Sequence, residues 1–302
     1  MRIRAFLAAA LVLGISGPVL AQERVTLGWG RMFTNDALGD MEDRWRTSSY
    51  TMSRVRGPSW SGDLPSRPGE ILEFRMRADF IAPENLVRMP PGDRRYAGVL
   101  TLGMHTHFEK AGLEASLGLD LAITGEQSLM GDLHNALHDL MGLPRPRVAA
   151  TQIPNGFHPT LVLEAGHGFD FGGGTFRPFA EGQAGLETFV RAGFDLSFGT
   201  YGRGALMIRE QTTGQRYRAV AGSPEPGFTF TLGGDVARVF DSELLPEGGA
   251  AVLNDTRERM RAGIAWQGDR HSVQFGMTWL GKEFESQREA QVVGSLNLQL
   301  AF

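Results

Sequence analysis

The sequence predicts an all-β fold, a closed antiparallel transmembrane β-barrel of about twelve strands with one short helix in an extracellular loop. Apolar and polar side chains alternate at two-residue spacing along most of the chain, as in strands with one apolar face. The chain begins with a segment of the export type and ends on an alternating strand whose last residue is Phe302. Together these observations favour a barrel in the outer membrane of a Gram-negative bacterium over a soluble β-sandwich.

Residues 1–21 have the form of a cleaved signal peptide. Two arginines precede an apolar run over residues 6–15, and Val19-Leu20-Ala21 has the small-residue form of a signal-peptidase site. The expected mature domain is therefore 22–302, which no Pro/Ser/Gly linker divides. No later apolar run approaches the roughly 18 residues that a membrane helix needs, so a helical membrane protein is excluded.

The composition sets bounds on the fold and on the partners. The 302-residue chain contains no cysteine, which excludes a small disulfide-stapled domain. Its formal net charge of −4 gives no indication of nucleic-acid binding. Nearly all of its basic residues are arginines, since Lys110 and Lys282 are the only lysines. Arginine suits the recognition of phosphate and carboxylate groups.

Residues 70–80 illustrate the pattern on which the strand assignment depends. Their apolar face should contact lipid and comprises Leu72, Phe74 and Met76. The opposite face should line the lumen and comprises Glu73, Arg75, Arg77 and Asp79. A tilted strand of about 10 residues spans an outer membrane. On this basis the predicted strands are 24–33, 46–56, 70–80, 96–108, 111–124, 159–170, 176–187, 190–199, 227–239, 258–267, 271–282 and 291–302.

The connections between these strands indicate which end of the barrel carries function. With both termini in the periplasm, the longer connections face outward. The outward segments are 34–45, 81–95, 125–158, 240–257 and 283–290. Residues 200–226 are predicted to be a periplasmic excursion. If 203–211 and 215–221 instead cross the membrane as a hairpin, the barrel has fourteen strands.

The last strand indicates how the chain reaches the membrane. Leu298, Leu300 and Phe302 alternate with polar residues, and a terminal phenylalanine resembles the C-terminal assembly signal of Gram-negative outer-membrane barrels. The outer-membrane assembly machinery is therefore an expected partner. The barrel itself is expected to be a monomer.

The one convincing helix lies in the third outward connection, at residues 125–143. Ser128 is its predicted N-cap, and Gly142 is predicted to end it. We expect its apolar stripe to lie against the barrel or the membrane. The stripe comprises Leu129, Met130, Leu133, Leu137, Leu140 and Met141.

Two histidines, His134 and His138, lie one turn apart along an edge of this stripe, from which a side chain can face a cleft. Two solvated histidines on a surface helix would give the same pattern. The spacing also matches the histidine pair of zinc proteases, but Asn135 stands where such enzymes have their glutamate. A zinc protease is therefore not favoured.

Three outward segments carry the residues of a candidate reaction site. They are Thr34-Asn35-Asp36 with residues 43–47, the Asp93-Arg94-Arg95 stretch, and the helix that carries His134 and His138. Barrel topology sends all three to the same end of the molecule. An Asn-Asp pair in a loop also suits a simple turn, because both side chains can hydrogen-bond nearby backbone groups.

The same segments carry a family resemblance. Phe33-Thr34-Asn35-Asp36 is followed by Asp43-Arg44-Trp45-Arg46-Thr47, then by DRRYAG at 93–98, by the helix, and by EFESQ at 283–287. In this order they resemble the E-N-D-x-F, D-R-Y-Y-T-N-G, D-R-P-Y-A-G, G-E-x-x-Q-x-x-x-H-x-L-x-G and E-F-E-G-Q motifs of the outer-membrane lipid A 3′-O-deacylases (LpxR-like). The matches extend over almost the whole mature chain.

The resemblance implies an outward-facing, calcium-dependent site that removes the 3′-linked acyloxyacyl group of lipid A by ester hydrolysis. It implies that His138 is the catalytic histidine and that Asn35, Asp36 and Thr47 belong to the catalytic site. A neutral histidine can accept a proton from water. Asp36 offers the hard oxygen ligand that calcium prefers. The substrate implied is lipopolysaccharide of the outer leaflet.

Substrate binding is assigned to the basic residues around this site. Arg94 and Arg95 can form bidentate contacts with lipid A phosphates, and His134 lies one turn before the catalytic histidine. The chain departs from the family here, because His134 replaces a glutamine, Arg46 replaces a tyrosine and no lysine lies between strands three and four. We expect these changes to affect the substrate, the metal dependence or catalysis more than the fold.

Two other functions are compatible with the same barrel. One is a catalytically silent barrel that is porin-like or binds lipid without cleaving it, and the other is a broader phospholipase-type hydrolase. An esterase should have a lumen filled by its charged residues, whereas a porin needs an open channel.

Overall fold

The computed structural model describes residues 23–222 and 225–299. The predicted signal peptide and the terminal Phe302 lie outside the described residues. The strands are β1 (Val25–Asn35), β2 (Trp45–Gly57), β3 (Ile71–Ala82), β4 (Ala97–Lys110), β5 (Leu113–Thr124), β6 (Gly156–Gly166), β7 (Phe169–Phe171), β8 (Gly174–Ala184), β9 (Glu187–Phe198), β10 (Leu206–Arg209), β11 (Arg216–Val220), β12 (Gly227–Ser242), β13 (Thr256–Gln267), β14 (Ser272–Leu280) and β15 (Gln291–Gln299).

Twelve of these strands form a closed antiparallel barrel. Each pairs with its neighbour along the chain, β6 pairs with β8, and β9 pairs with β12. The sheet closes where β1 pairs with β15 through three residue pairs, from Phe33↔Leu296 to Asn35↔Gly294. The short β7 pairs only with β8. The twelve-strand prediction is confirmed. The fourteen-strand alternative is wrong, because β10 and β11 form a separate two-stranded sheet and are not part of the barrel wall.

Each wall strand separates an apolar outer face from a polar lumen face. In β3 the side chain of Phe74 is 43% exposed on the outside, while its neighbour Glu73 is fully buried. Within the lumen, Glu73 pairs with Arg75 at 2.7 Å and Asp79 pairs with Arg77 at 2.6 Å. The predicted alternation is therefore confirmed. The polar face can be buried because carboxylates and guanidinium groups neutralise one another inside the barrel.

Residues 206–220 form a hairpin that enters the lumen. β10 and β11 pair only with each other. Tyr217 is fully buried, and its hydroxyl lies 2.7 Å from the Ser53 hydroxyl on β2. A Cβ on Gly28 would lie 2.2 Å from the Ala219 carbonyl oxygen, so the close approach of the hairpin to β1 requires glycine there. The hairpin is thus a luminal plug, and the prediction that residues 200–226 are a periplasmic excursion is wrong for this part of the segment.

The two ends of the lumen differ in how much space they enclose. Toward the helix end the lumen contains a cavity of about 60 Å³, lined by charged side chains that include Arg77, Glu187 and Arg257. Toward the opposite end a cavity of about 900 Å³ lies beside the hairpin. The charged side chains and the hairpin fill the barrel most completely below the helix.

The described residues contain one α-helix, α1 (Met130–Met141), which lies between β5 and β6 and contacts β3 and β4. The helix begins later than predicted, and its N-cap is Leu129, with φ of 60°, instead of Ser128. The Ser128 hydroxyl oxygen still accepts a hydrogen bond from the Met130 backbone N–H at 3.3 Å. Gly142 ends the helix with φ of 69°, a left-handed conformation that glycine adopts at low cost. No helix in the described part of the chain is long and apolar enough to cross a membrane.

Candidate active site

The candidate site lies at the rim of the barrel, where the loop after β1 meets α1. β1 ends at Asn35, and Asp36–Leu38 form a 3₁₀ turn. The side chain of Asn35 accepts a hydrogen bond from the Ala37 backbone N–H at 2.8 Å. Its amide group therefore shapes the turn, as the alternative interpretation of this pair predicts, while the next residue turns its carboxylate inward.

Asp36 is the buried carboxylate of the site, with 3% of its surface exposed. Its Oδ2 accepts a hydrogen bond from the Arg44 backbone N–H at 3.0 Å, and the Thr47 hydroxyl interacts with it. The pKa of Asp36 is raised to about 8, mainly because the carboxylate is buried and to a smaller extent because the Asp43 carboxylate lies nearby. Among the described residues, no basic side chain forms an ion pair with Asp36. The carboxylate is thus buried without a neutralising charge.

His138 presents one ring nitrogen to the site. Its Nδ1 donates a hydrogen bond to the Pro144 carbonyl oxygen at 2.7 Å, which leaves the lone pair on Nε2. Nε2 lies 3.5 Å from Asp43 Oδ2. The Thr47 hydroxyl donates to Asp43 Oδ1 at 2.6 Å. Thr47 and Asp43 therefore link the buried carboxylate of Asp36 to the histidine that the sequence predicts to be catalytic.

His134 packs under His138 on the barrel side of the helix. Its Nδ1 lies 3.0 Å from the Tyr96 hydroxyl. Its ring contacts those of Phe80 and His138, with centroid distances of 4.8 and 4.6 Å. Burial lowers the pKa of His134 to about 3, with a smaller contribution from His138. The ring is neutral at physiological pH, so it can contribute hydrogen bonds or a lone pair but no charge.

The helix turns its histidine face to the barrel and its leucine stripe outward. Its buried residues are Met130, Gly131, His134 and His138. Leu133, Leu137 and Leu140 are 42%, 37% and 84% exposed. The interpretation of two solvated histidines is therefore wrong. Of the two surfaces predicted for the stripe, the membrane is the one consistent with this orientation.

Backbone strain concentrates around this site. Four non-glycine residues among the described ones have positive φ, and three of them flank the site: Met41, Trp45 and Leu129, with φ of 65°, 48° and 60°. Met41 and Trp45 bracket Asp43, while Leu129 precedes the helix. Left-handed conformations are costly for such side chains and often accompany functional sites. Here they occur on both sides of Asp43 and immediately before α1.

The two arginines predicted to bind substrate differ in accessibility. Arg94 is 1% exposed and forms an ion pair with Glu283. Its guanidinium group thus points into the barrel, where Arg46 also contacts Glu283 at 2.7 Å. Arg95 is exposed. Of the pair, Arg95 is the residue that a phosphate on the barrel surface can reach directly.

The sequence motifs at 43–47 and 93–98 contain two residues of the site, Asp43 and Tyr96, but assign them no role. Asp43 was part of a recognised motif, but aspartates are common in loops and its contact with His138 depends on tertiary structure. Tyr96 lies just before β4, and its side chain is fully buried beside His134. A buried tyrosine hydroxyl normally has a hydrogen-bond partner. The position of Tyr96, between a polar loop and the start of a strand, was therefore the sequence signal that could have indicated its role.

Comparison with protein families gives a match over nearly the whole chain. Residues 6–302 match the family described as "Outer membrane protein LpxR". A search of curated proteins gives no significant match.

Comparison with solved structures agrees with the barrel fold. The chain is similar to LpxR from Salmonella typhimurium, with a TM-score of 0.75, 15% sequence identity, and coverage of 91% of this chain and 100% of that chain. It is less similar to the NanC porin, with a TM-score of 0.43, 5% identity, and coverage of 91% and 100%. The β domain of the Bordetella autotransporter BrkA also has a TM-score of 0.43, with 12% identity and coverage of 91% and 99%.

Proposed function

The chain belongs to the LpxR family and is thus an outer-membrane lipid A deacylase, a carboxylic ester hydrolase, and we propose that His138 is the general base of its reaction. The observation that carries this proposal is the geometry of the histidine. Its Nδ1 is fixed by the Pro144 carbonyl, and its Nε2 faces Asp43 at 3.5 Å beside the buried Asp36. The bond to be hydrolysed is the 3′-linked acyloxyacyl ester.

His138 would act on a water molecule at the rim. Nε2 accepts a proton from the water, whose oxygen attacks the ester carbonyl carbon. The Asp43 carboxylate stabilises the imidazolium that forms, and Thr47 holds that carboxylate in place. When the tetrahedral intermediate collapses, the imidazolium returns the proton to the sugar oxygen that leaves. The products are the free acid and lipid A with a 3′ hydroxyl group.

We propose calcium as the cofactor, held at Asp36. The Asp36 carboxylate is buried, has no ion-pair partner in the described chain, and has a pKa raised to about 8. A bound cation would neutralise its charge, and a carboxylate oxygen is the kind of ligand that calcium prefers. When bound, calcium would polarise the ester carbonyl and stabilise the negative charge that develops on its oxygen. Asn35 would support the site by fixing the turn that carries Asp36.

The substrate is lipid A of lipopolysaccharide, in the outer leaflet beside the helix. The outward leucines, Leu133, Leu137 and Leu140, continue the apolar outer surface of the barrel, so they should contact acyl chains at the interface. Arg95 is exposed near this surface and is proposed to bind a lipid A phosphate. We further propose that the protein acts as a monomer and reaches the membrane through the outer-membrane assembly machinery.

The filled lumen favours this function over a porin-like barrel. Charged side chains and the hairpin occupy the interior, and the helix end encloses only about 60 Å³ of space in the described structure. A porin needs a continuous aqueous channel. Ion conductance in planar bilayers should therefore stay at the background level.

Mass spectrometry of lipid A tests the proposal for His138. Cells that display folded wild-type protein should contain 3′-deacylated lipid A. Loss of a general base typically costs about 10²- to 10⁴-fold in rate, so His138→Ala should leave lipid A unchanged while the barrel stays heat-modifiable on gels. His158→Ala, a histidine change at the same end of the barrel but outside the site, is the control. Full deacylation by His138→Ala would exclude the proposed base.

A further inference from the structure

We propose that Asp43, His134 and His138 form a binding site for a divalent transition-metal ion of the zinc class, and that the bound ion inhibits the deacylase. The inhibitory part rests on the proposed role of His138 as the base. The binding part rests on geometry alone.

The three side chains already cluster as a ligand set. One ligand atom from each lies within 4.8 Å of the others. Ligand atoms in a tetrahedral zinc site are about 3.3 Å apart, since zinc–nitrogen distances are about 2.0 Å. The distance of 3.5 Å between His138 Nε2 and Asp43 Oδ2 is close to that value. Both histidines are fixed in the buried face of α1, whereas the Asp43 side chain is 41% exposed on a loop and can move to complete the site.

A second layer of hydrogen bonds orients all three ligands. Pro144 accepts from Nδ1 of His138 at 2.7 Å, and the Tyr96 hydroxyl lies 3.0 Å from Nδ1 of His134. Each ring therefore has its Nε2 left for a metal, and Nε2 of His134 has no hydrogen bond to another described residue. The Thr47 hydroxyl holds the remaining oxygen of Asp43 at 2.6 Å. Such outer contacts are the usual support of metal-binding histidines and carboxylates.

The donor set selects the class of metal. Two imidazole nitrogens and one carboxylate suit zinc and its neighbours, and they leave a position for water. Calcium instead prefers six to eight oxygen ligands, so the two ions would favour different groups at the same rim. His134 is the residue that distinguishes the two cases. A glutamine at this position would replace an imidazole nitrogen with an amide.

Occupancy of this site would stop the proposed chemistry. The lone pair on Nε2 of His138 would be shared with the metal, so it could no longer accept a proton from water. The leaving group would also lose its proton donor. Deacylation should therefore fall as the zinc-class ion binds, even when calcium is abundant.

Isothermal titration of the refolded full chain in detergent with Zn²⁺, in the presence of excess Ca²⁺, tests the binding part. The wild type should bind one ion. Because changes in the outer contacts alone cost about 10- to 100-fold in metal affinity, we expect Tyr96→Phe to weaken binding by that factor and His134→Gln to weaken it by at least about 100-fold. His167→Gln, at the opposite end of the barrel, is the matched control and should bind as the wild type does. Equal affinity in the wild type and His134→Gln would overturn the site.

Zinc inhibition of deacylation tests the second part, with each variant compared with its own calcium-supported rate. The wild type should lose activity over the concentration range in which calorimetry shows binding, and Tyr96→Phe should need about 10- to 100-fold more zinc. Activation by zinc, or full activity at saturation, would overturn the inhibitory role. Because binding is measured without substrate, a chain that binds zinc but never deacylates lipid A would contradict the proposed function and leave the metal site standing.

Discussion

The buried carboxylates of the lumen and the buried carboxylate of Asp36 at the rim are stabilised in different ways. In the lumen, Asp235 contacts Arg259 at 2.8 Å and Arg261 at 2.5 Å. At the rim, Asp36 has only a backbone N–H and a hydroxyl as partners in the described chain. A buried charge is costly unless it is paired. The lumen carboxylates therefore serve the fold, whereas the rim carboxylate has the character of a functional group.

The largest difference should appear when a carboxylate of each set is changed to its amide. Asp36→Asn should reduce deacylation by about 10²- to 10³-fold, the usual cost of losing oxyanion stabilisation. It should not reduce the free energy of unfolding, because the amide needs no neutralising partner. Deacylation rates and urea unfolding of Asp36→Asn and of the wild type measure the two effects.

Asp235→Asn is the matched change in the lumen. It removes the carboxylate that Arg191, Arg259 and Arg261 share, although Arg261 keeps Asp195 as a partner. Breaking a buried ion pair costs roughly 3 to 5 kcal/mol. Residual activity per folded molecule should stay near the wild-type value. If Asp235→Asn abolished activity in folded protein, or Asp36→Asn unfolded the barrel, the contrast between lumen and rim would be wrong.

Glu283 joins the two regions, and changing it should have the next largest effect. Although burial alone would raise its pKa, Arg46, Arg257 and Arg94 hold the pKa of Glu283 below its ordinary value of 4.5. Glu283→Gln should cost roughly 3 kcal/mol of stability at neutral pH. The exposed Glu285 on the same loop provides the control Glu285→Gln, which should change stability by less than about 0.5 kcal/mol.

The pH dependence gives the sign of this effect. The stability that Glu283 contributes is fully present above its unfolded pKa and is lost as the pH falls through the lowered folded pKa. Urea unfolding of the wild type and Glu283→Gln should therefore converge as the pH falls below 4.5. A difference that stayed constant at low pH would mean that the ion pairs are not its cause.

The smallest effect should come from the luminal hairpin. Tyr217→Phe removes the hydroxyl that contacts Ser53 at 2.7 Å, and loss of one such bond costs about 1 kcal/mol. Deacylation should be unchanged, because the hairpin fills the barrel without touching the site residues. Reduced activity in folded Tyr217→Phe protein would show that the plug and the rim are coupled.

Strand alternation was sufficient to predict the barrel, because a lipid-facing strand must keep one face apolar over its whole length. The hairpin was harder to predict. Its strands, at 206–209 and 216–220, are short and contain several arginines, which pair with carboxylates across the lumen, as Arg209 does with Asp195 at 2.7 Å. Sequence periodicity does not distinguish a strand in the wall from one inside it.

The orientation of the helix has a similar explanation. An apolar stripe usually faces the protein interior, because water surrounds the molecule. Beside this barrel the outer surroundings are lipid, so the leucines point outward and the histidines point inward. The motifs predicted His138, Asp36 and Thr47 to be site residues. The contacts of Asp43 and Tyr96 depend on distant segments and could only be found in three dimensions.

We propose that Asp36 has no basic partner in the described chain because it binds a cation. Thermal unfolding of the refolded protein with and without Ca²⁺ tests it most directly, since a ligand at 100 times its dissociation constant stabilises the folded state by about 2.7 kcal/mol. We expect calcium to raise the unfolding temperature of the wild type and of Asp235→Asn by the same amount, and to leave that of Asp36→Asn unchanged. An equal increase in Asp36→Asn, or no increase in the wild type, would contradict the account.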